Sequence, residues 1–373
     1  MRLMKVALTG GGTGGHIYPC LAVAEILKEN NAELFYIGVK GKLEESLIGK
    51  RHPEIKFLPM KCSSLPRLKN FYMLPFWAIE FWLATKKCEQ YIKENKIEVI
   101  FGTGGYAAGP AFAAAKNLKI PYILHNLDAS IGLANKVFLK GAKFVTLALP
   151  TKSIKENNGR VKITGNPVSK EFFIKKYDAD PVRNNQFASF ANKKDFNILI
   201  TGGSQGSLNL NNAVGEIIPE LIKNPHTRIV HMTGEKLYQD HVNKFLDGDA
   251  EKHASYTVLP YTHEMPKLCA LADIAICRSG AMTIAEMAAS DTVPIFIPLP
   301  WAANDHQNKN AKSLAEAGAA IVIKEENLSS EKLMAEINDL MLDTDKFEQM
   351  KTDLRDFAHP SAARELANLV LNV

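Results

Sequence analysis

One short run holds the residue types that could bind a nucleotide diphosphate. In Cys277-Arg-Ser-Gly-Ala-Met-Thr-Ile-Ala-Glu286, an arginine precedes a predicted helix and a glutamate falls in its second turn. The N–H groups at the start of that helix and the Arg278 guanidinium could hold a diphosphate through charge-assisted hydrogen bonds. An ionised Glu286 only accepts hydrogen bonds, which suits the two hydroxyls of a ribose. A solvated surface glutamate is the alternative, and the sequence leaves it open.

Two glycine-rich segments could receive a ligand at the backbone. Gly10-Gly-Gly-Thr-Gly-Gly15 follows the apolar run Val6-Ala-Leu8, and Gly202-Gly-Ser-Gln-Gly206 follows Ile198-Leu-Ile200. Because glycine lets a ligand approach the backbone closely, and a predicted helix follows each segment, both suit phosphates or a sugar. A tight turn that binds nothing is the alternative for the first segment.

The first segment also satisfies the GxGxxG pattern of dinucleotide-binding sites through Gly10, Gly12 and Gly15. Such sites use an acidic residue at the end of the second strand to hold the ribose. Here that strand ends in Ile37-Gly-Val-Lys40, without a carboxylate. The sequence therefore argues against an NAD site of that type.

Short apolar strands must position these segments. They alternate with amphipathic stretches, a rhythm typical of βα units with parallel sheets covered on both faces. The runs are Val6–Leu8, Leu34–Ile37, Val99–Phe101, Tyr122–Leu124, Ile198–Ile200, Ile229–Val230, Ile274–Ile276 and Pro294–Ile297. Since a strand followed by a glycine segment occurs twice, we predict an α/β fold with two sheets.

The chain is long enough for two domains, because 373 residues exceed what one hydrophobic core usually supports. Pro167 disfavours helix at the residue before it, and a charged stretch follows. We predict domains over residues 1–165 and 166–358, with a final helix over 359–373.

The composition sets limits on the class of protein. A hydrophobic fraction of 46% with 23% charged residues is typical of a folded chain, and a net charge of +5 is too small to predict nucleic-acid binding. The five cysteines form no CxxC pair, which favours a reducing compartment over a disulfide framework or a zinc site. We expect neither a signal peptide nor a segment that crosses a membrane.

Taken together, several motifs resemble those of the MurG family of bacterial glycosyltransferases. In the same order, over nearly the full chain, they are Gly10-Gly-Gly-Thr-Gly-Gly-His16, Gly102-Thr-Gly-Gly-Tyr106, Gly165-Asn-Pro-Val168, Gly202–Gly206, Cys277–Ala281 and Asp305-His-Gln307. The resemblance implies a GT-B fold, in which two Rossmann-like domains with parallel sheets face each other across a cleft and the C-terminal helix packs back on the N-terminal domain. It also implies inverting transfer of N-acetylglucosamine from UDP-N-acetylglucosamine to the muramic acid 4-hydroxyl of lipid I, giving lipid II in peptidoglycan biosynthesis.

By position, the resemblance assigns UDP-N-acetylglucosamine mainly to the second domain. Ser204 and Arg278 would face the diphosphate, Glu286 the ribose and Gln307 the sugar hydroxyls. The other implied donor contacts are Thr13, Gly14, Gly15, Asp128, Gln205, Gly206, Thr262, Ala281, Met282, Thr283, Ile284 and Ala285. The undecaprenyl-linked acceptor would meet Tyr106, His125 and Asn135 in the first domain.

The sequence departs from the family pattern in two places. The usual His-Glu-Gln-Asn run appears here as His125-Asn126-Leu127-Asp128, and Ser169 stands where an arginine is frequent. An aspartate accepts hydrogen bonds but cannot donate them, so the contact normally made by the last amide is in question.

The implied reaction needs a general base and stabilisation of the departing UDP. We predict His16 as the base, because its pKa class suits neutral pH and it follows the first glycine segment. Holding a phosphate or the loop is the alternative role. Arg278 and the helix amides would stabilise the leaving group, so no metal or other cofactor is expected. The strings Asp178-Ala-Asp180 and Asp247-Gly-Asp249 are predicted to be solvated surface.

An aromatic stretch flanked by lysines is the candidate membrane contact. Its members are Leu74, Phe76, Trp77, Phe81, Trp82, Lys86 and Lys87. This composition fits a surface-lying segment at anionic lipid headgroups, although a helix buried against the first sheet would share it. The implied lipid-linked acceptor favours peripheral contact with the cytoplasmic face of the plasma membrane, where cell-wall synthesis proteins would be partners.

Two other functions remain open from the sequence. A UDP-N-acetylglucosamine 2-epimerase would share the fold, but it needs acidic residues around the sugar, and the N-terminal motifs offer only Asp128. A non-catalytic sugar-nucleotide-binding membrane scaffold would not need His16. A measurement of substrate turnover distinguishes an enzyme from a protein that only binds the sugar nucleotide.

Overall fold

The chain divides into two units, each built on its own parallel sheet. The computed structural model describes residues 3–12, 14–66, 68–149, 151, 154, 159–174, 190 and 194–373. Unit 1 comprises Met1–Ser169 and His359–Val373, and unit 2 comprises Lys170–Ala358. The sequence predicts boundaries after residues 165 and 358.

Unit 1 holds a seven-stranded parallel sheet in the order β3-β2-β1-β4-β5-β6-β7. Its strands are β1 (Lys5–Thr9), β2 (Glu33–Val39), β3 (Lys56–Met60), β4 (Val99–Gly102), β5 (Tyr122–Asn126), β6 (Phe144–Leu147) and β7 (Val161–Ile163). Its helices are α1 (Gly14–Glu29), α2 (Leu43–Arg51), α3 (Leu74–Asn95), α4 (Ala108–Leu118) and α5 (Leu133–Phe138). Strand β1 pairs with β2 on one side and β4 on the other, so the strand order reverses beside it.

Unit 2 holds a six-stranded parallel sheet in the order β10-β9-β8-β11-β12-β13. Its strands are β8 (Phe196–Thr201), β9 (Thr227–Met232), β10 (Tyr256–Leu259), β11 (Ile274–Cys277), β12 (Val293–Phe296) and β13 (Ile321–Val322). Its helices are α6 (Leu208–Leu221), α7 (Tyr238–Phe245), α8 (Met265–Leu271), α9 (Ala281–Ala289), α10 (His306–Glu316), α11 (Ser330–Leu342) and α12 (Thr344–Arg355). Strand β8 pairs with both β9 and β11, so the order reverses between β8 and β11.

Both sheets are covered on two faces, which explains why their central strands are continuous apolar runs. In β1, Val6 and Leu8 are buried with the α1 residues Ile17 and Leu27, whereas Ala7 is buried in the cluster on the opposite face. In unit 2, Ile198 and Ile200 lie in one apolar cluster with residues of α6 and α11. The predicted pair of Rossmann-like sheets is therefore confirmed.

The last helix, α13 (Ala362–Leu371), packs against α1 within unit 1. Leu366, Ala367 and Val370 are buried in the same apolar cluster as Ile17. These positions follow the three- and four-residue spacing of one helix face. The end of the chain thus completes the core of unit 1, after the whole of unit 2.

In the described part of the chain, no helix is both long enough and apolar enough to cross a membrane. All five cysteines are described and buried, and none forms a disulfide.

Candidate functional site

Several of the predicted site residues, among them His16, Tyr106, Ser204 and Arg278, lie at the points where each strand order reverses. In unit 1 the loops after β1 and β4 flank that point, and in unit 2 the loops after β8 and β11 do so. Open parallel sheets bind ligands at the carboxyl ends of their strands at such reversals, because the two connections leave in opposite directions and open a crevice.

The glycine segment of unit 2 is a tight loop ending at the start of α6. Thr201 Oγ1 accepts a hydrogen bond from the N–H of Gly203 at 3.0 Å, and the N–H of Gly206 donates to the Gly203 carbonyl at 2.9 Å. Gly206 has φ of 72°, and a methyl group there would lie 1.9 Å from the Thr233 carbonyl oxygen. Ser204 and Gln205 are exposed at the tip, where a ligand can reach them.

Arg278 follows β11 and is anchored beside this loop. Its Nη1 donates to the carbonyls of Ile297 at 2.9 Å and Pro298 at 3.3 Å and pairs with Glu325, while Nη2 donates to Ser207 Oγ at 2.6 Å. No described residue accepts from Nε–H or from the second Nη2–H. The Nε–H and one Nη2–H are therefore still available, and a guanidinium donates such hydrogens to phosphate oxygens. The side chain is held rigidly, with donors left for a ligand.

Helix α9 follows this arginine after Ser279 and Gly280, and no side chain caps its N-terminus. Three of its residues are buried in unit 2, namely Ala281, Met282 and Ile284. Three are partly exposed, namely Thr283, Ala285 and Glu286, the residue predicted to bind the ribose. Any contact from Ala281, Met282 or Ile284 to a ligand would come from the backbone.

Glu286 is a partly buried carboxyl with no described hydrogen-bond or ion-pair partner. Removal from water raises its pKa to about 8, because the neutral form is favoured where solvent is excluded. An acidic group with a raised pKa and no partner inside the protein is a typical feature of a ligand site.

Gln307 and Thr262 lie on different loops of unit 2. Gln307, in the first turn of α10, accepts a hydrogen bond from the N–H of Leu299 at 3.0 Å through Oε1, which leaves its NH₂ group to donate. Thr262 follows the edge strand β10, with Oγ1 accepting from the N–H of Glu264 at 3.1 Å. Strands β8 and β9 separate β10 from β11, so Thr262 is the outlying member of the predicted set.

In unit 1, His16 lies in the first turn of α1 and is partly buried. Its Nδ1 is 3.1 Å from the Thr103 carbonyl oxygen, and Thr103 Oγ1 donates to the His16 carbonyl at 2.7 Å. Because a carbonyl only accepts, Nδ1 must carry the proton in the neutral ring, and Nε2 is then the nitrogen that can take up another. This tautomer is the one that a general base requires.

The loop after β4 packs directly on the loop after β1. A methyl group at Gly105 would lie 2.5 Å from the Gly11 carbonyl oxygen and 3.3 Å from the His16 ring. A methyl group at Gly12 would lie 2.6 Å from the ring of the partly buried Tyr106. The loops that carry the predicted residues His16 and Tyr106 are thus in contact. Gly14 and Gly15 directly precede His16 in the chain, and Thr13 lies outside the described residues.

His125 and Asn135 lie in the interior of unit 1. His125 is fully buried, with Nδ1 2.9 Å from Thr146 Oγ1 and Nε2 3.1 Å from Asn166 Oδ1, and burial lowers its pKa to about 4. Asn135 Nδ2 donates to Asn126 Oδ1 at 3.1 Å. With these contacts, an effect of either residue on an acceptor would pass through its neighbours.

Asp128 lies on the turn after β5 and is partly exposed. Asn126, which stands where the family usually has glutamate, donates to the Asp128 carbonyl at 2.7 Å and to the Ser130 carbonyl at 3.3 Å. The substituted amide therefore closes the turn that presents Asp128.

Two buried carboxylates near the site were missed by sequence reasoning. Glu325 is the ion-pair partner of Arg278, and its side chain is 6% exposed. Glu44, at the start of α2, is fully buried behind Gly11, and its Oε2 accepts no hydrogen bond from the described residues. Neither lies in a motif, and glutamate is ordinarily an exposed residue type.

No group of three or more His, Cys, Asp or Glu side chains within the described ranges is arranged to hold a metal ion. Asp247 pairs with Lys252 at 2.5 Å, and its side chain is 82% exposed. Asp178 and Asp180 lie outside the described residues.

Helix α3 presents an apolar outer face. Phe76 is 73% exposed, Trp82 57% and Leu74 47%, whereas Trp77 and Phe81 are partly buried with ring centroids 5.3 Å apart. Lys86 pairs with Glu89 at 2.8 Å. Lys87 lies over the Tyr91 ring, 4.8 Å from its centroid. Large apolar side chains in contact with water commonly mark an interaction surface.

Comparison with known proteins agrees with this architecture over the full chain. Residues 6–147 match the glycosyltransferase family 28 N-terminal domain, and residues 197–366 match the family 28 C-terminal domain. The UDP-N-acetylglucosamine–N-acetylmuramyl-(pentapeptide) pyrophosphoryl-undecaprenol N-acetylglucosamine transferase of Thermoanaerobacter sp. (strain X514) is 34% identical, covering 99% of this chain and 100% of its own.

Two solved structures bear on the fold. The crystal structure of Acinetobacter baumannii MurG has a TM-score of 0.73 and 28% identity, covering 99% of this chain and 100% of that chain. A UDP-N-acetylglucosamine 2-epimerase has a TM-score of 0.68 at 12% identity, covering 99% and 95%, a likeness that shows the shared fold alone.

The two Rossmann-like units match the two domains of glycosyltransferase family 28, so the chain is a glycosyltransferase with the GT-B fold. The relatives narrow this class further. The chain belongs to the MurG family of N-acetylglucosaminyltransferases within glycosyltransferase family 28, as its motifs predict.

Proposed function

We propose that the chain transfers N-acetylglucosamine from UDP-N-acetylglucosamine to the muramic acid 4-hydroxyl of undecaprenyl-linked lipid I, giving lipid II. The full-length likeness to a transferase of that name supports the substrates. The observation that carries the proposal is found in unit 2: an anchored guanidinium with N–H donors left over precedes a helix whose Glu286 carboxyl has no partner among the described residues. These are the two groups that a nucleoside diphosphate needs.

UDP would be held by charge and hydrogen bonding in unit 2. The remaining N–H donors of Arg278 and the first amides of α9 would bind the diphosphate, and they would stabilise the charge that develops as UDP departs. Ionised Glu286 would accept both ribose hydroxyls, and the Gln307 NH₂ would donate to a sugar hydroxyl. A fixed cation and amide dipoles can stabilise this leaving group, so we propose a transfer that needs no metal.

The acceptor would bind to unit 1, with His16 as the general base. Its Nε2 would take the proton from the attacking hydroxyl while that oxygen displaces UDP at the anomeric carbon, in one step with inversion. The hydrogen bond from Nδ1 to Thr103 would hold the ring in the required tautomer. His125 and Asn135 would act as positioning residues behind this loop.

The apolar face of α3 would rest on the membrane surface that holds the acceptor. The exposed Phe76 and Trp82 supply apolar area on one face, and the lysines at positions 86 and 87 lie further along the same helix. Such a segment binds at the headgroup level without crossing the bilayer. We place this surface at the cytoplasmic face of the plasma membrane.

The test is UDP release from UDP-N-acetylglucosamine, with and without a lipid I analogue, in EDTA. Acceptor-dependent release by the native protein is expected, and His16→Ala should lower kcat by roughly 100-fold or more, because general-base catalysis typically contributes that much. Release that occurs without acceptor, or no release with it, would contradict the transferase. Full activity of His16→Ala would keep the transferase and leave His16 a structural role.

A further inference from the structure

A buried network of four polar side chains joins α6, β9, β10 and α7 in unit 2. Asn211 Nδ2 donates to the Thr233 carbonyl at 2.9 Å, and Asn211 Oδ1 lies 3.1 Å from His231 Nε2. His231 Nδ1 lies 2.8 Å from the Tyr256 hydroxyl oxygen, and that oxygen lies 2.7 Å from His241 Nε2. All four side chains are buried, so each of these hydrogen bonds is made away from water.

The direction of every hydrogen bond in the network follows from its end at Thr233. A carbonyl only accepts, so Asn211 turns its NH₂ group to Thr233, and its oxygen accepts from His231 Nε2–H. Burial lowers the pKa of His231 well below its usual value, so the ring is neutral and Nδ1 carries no proton. Nδ1 therefore accepts from the Tyr256 hydroxyl, whose oxygen accepts in turn from His241 Nε2–H. Donation thus runs in one direction, from α7 to the Thr233 carbonyl.

That carbonyl packs directly on the glycine loop of unit 2, residues 202–206. A methyl group at Gly206 would lie 1.9 Å from the Thr233 carbonyl oxygen, and one at Gly234 would lie 2.5 Å from the Gly206 nitrogen. The Thr233 N–H donates to the Leu259 carbonyl at 2.9 Å, at the end of β10. Three residues further along stands Thr262, a predicted donor contact. The backbone at Thr233 therefore contacts both the glycine loop and the strand that leads to Thr262.

The Tyr256 hydroxyl fixes the far end of the network. Without it, His231 Nδ1 would lose its donor, and the tautomer that carries the proton on Nδ1 would become available. Nε2 would then accept, so the Asn211 NH₂ would turn toward His231 and away from Thr233. An incomplete buried network is costly, because each group left without a partner has already lost its hydration.

We propose that Tyr256, His231 and Asn211 are positioning residues for UDP. They hold the Thr233 carbonyl against Gly206 and so keep the glycine loop in the shape that receives the diphosphate. This inference deepens the proposed function, on which it rests for the place of the diphosphate. Since the three side chains are at most 2% exposed, their effect on a ligand passes through the backbone of the loop.

Nitrogen-15 NMR of the histidine rings in the native full chain tests the network without a variant. At neutral pH we expect His231 and His241 to carry their proton on Nε2. Addition of UDP should shift the His231 Nε2–H resonance, whereas the ring of His226, which is 72% exposed before the start of β9, should stay unchanged. A His231 proton on Nδ1, or a His231 resonance that UDP leaves in place, would overturn the proposal.

Tyr256→Phe tests the consequence for affinity. The change keeps the ring and removes the hydroxyl, so the dissociation constant for UDP in calorimetry should rise at least about threefold, within the roughly two- to thirtyfold effects of residues that act through their neighbours. Tyr238→Phe is the matched control. Tyr238 lies on α7, and its hydroxyl has no hydrogen-bond partner among the residues that the structure describes, so this variant should bind UDP as the native protein does.

Unfolding of each variant in urea separates positioning from stability. A folded Tyr256→Phe that is less stable but binds UDP as tightly as the native protein would overturn the proposal. If that variant does not fold, the UDP-dependent shift of the His231 ring in the native protein decides. A native chain that does not bind UDP would count against the proposed function, whereas UDP binding that is insensitive to the network would count against this inference alone.

Discussion

Replacing Glu286 by glutamine should remove a pH dependence from UDP binding. The carboxyl has a pKa of about 8 without ligand, and only its ionised form accepts both ribose hydroxyls. The ionised fraction is about 9% at pH 7 and about 91% at pH 9, a rise of roughly tenfold. Because the diphosphate of UDP stays ionised throughout this range, the dissociation constant for UDP should fall roughly tenfold from pH 7 to pH 9 in the native protein.

The variant should show a flat profile over the same range. Glutamine offers one acceptor oxygen in place of the two charged oxygens of the carboxylate. A charge-assisted hydrogen bond contributes about 1.5–3 kcal/mol, so the variant should bind UDP roughly 10- to 100-fold more weakly than the native protein at pH 9. Isothermal titration calorimetry at three pH values measures both effects. A native profile that is flat, or a variant that follows the native rise, would refute the role of this carboxyl.

The same pKa predicts the sign of a stability change. An acid whose pKa is raised on folding stabilises the fold below its unfolded pKa of 4.5 and loses that contribution as the pH rises through about 8. The Glu286→Gln variant avoids the loss, so its free energy of unfolding relative to the native protein should grow by up to about 3.5 kcal/mol from pH 5 to pH 8. Solvent at the partly exposed side chain reduces this value. Unfolding in urea without UDP measures the difference in free energy of unfolding between the variant and the native protein. The same difference at pH 5 and at pH 8 would contradict the prediction.

Two further predictions concern the interior and the outer face. His125 and His241 each have a pKa lowered by burial from 6.5 to about 4, so both stabilise the fold above pH 6.5 and lose about 2 kcal/mol each by pH 5. Urea unfolding should show this loss, and it should shrink by about 2 kcal/mol in His241→Gln; an unchanged loss would contradict the assignment. The double change Phe76→Ser and Trp82→Ser should weaken binding to anionic vesicles at least roughly tenfold in a sedimentation assay, since each buried aromatic contributes about 1.5–3 kcal/mol. Leu342→Ser, at an 84% exposed leucine of unit 2, is the control, and equal vesicle binding by all three proteins would refute membrane contact through α3.

The architecture could be predicted because buried parallel strands are apolar runs at regular spacing. Each of the eight predicted runs overlaps a strand. Five strands, β3, β6, β7, β10 and β13, were not predicted. Lys56–Met60 contains a proline, Phe144–Leu147 and Tyr256–Leu259 are each interrupted by a threonine, Val161–Ile163 is short and Ile321–Val322 has only two residues. Such segments form strands because they pair with a neighbouring strand of the sheet. The hydrophobic periodicity of the segment itself does not reveal that pairing.

The site was only partly predictable, for a physical reason. Arg278, Glu286 and His16 stand in motifs at strand ends, where the chain topology fixes their place. The burial of His125 depends on Thr146 and Asn166, which reach it from other segments. Sequence spacing gives no information on such distant contacts.

Glu44 was missed because its burial also arises from tertiary packing. It stands next to the partly exposed Glu45 and shares its residue type and its helix. The approach of the glycine loop after β1 encloses the Glu44 side chain, whereas Glu45 keeps contact with solvent. The same distinction applies to Glu325, which the ion pair with Arg278 draws inward.

The most direct measurement is the identity of the transfer product. The native chain is incubated with UDP-N-acetylglucosamine and a lipid I analogue, and the acceptor is examined by mass spectrometry and by NMR of the new linkage. We expect the acceptor to gain a single N-acetylglucosamine, β-linked to the muramic acid 4-oxygen, with one UDP released for each. An unmodified acceptor, an α linkage, or conversion of the donor to its 2-epimer would contradict the account.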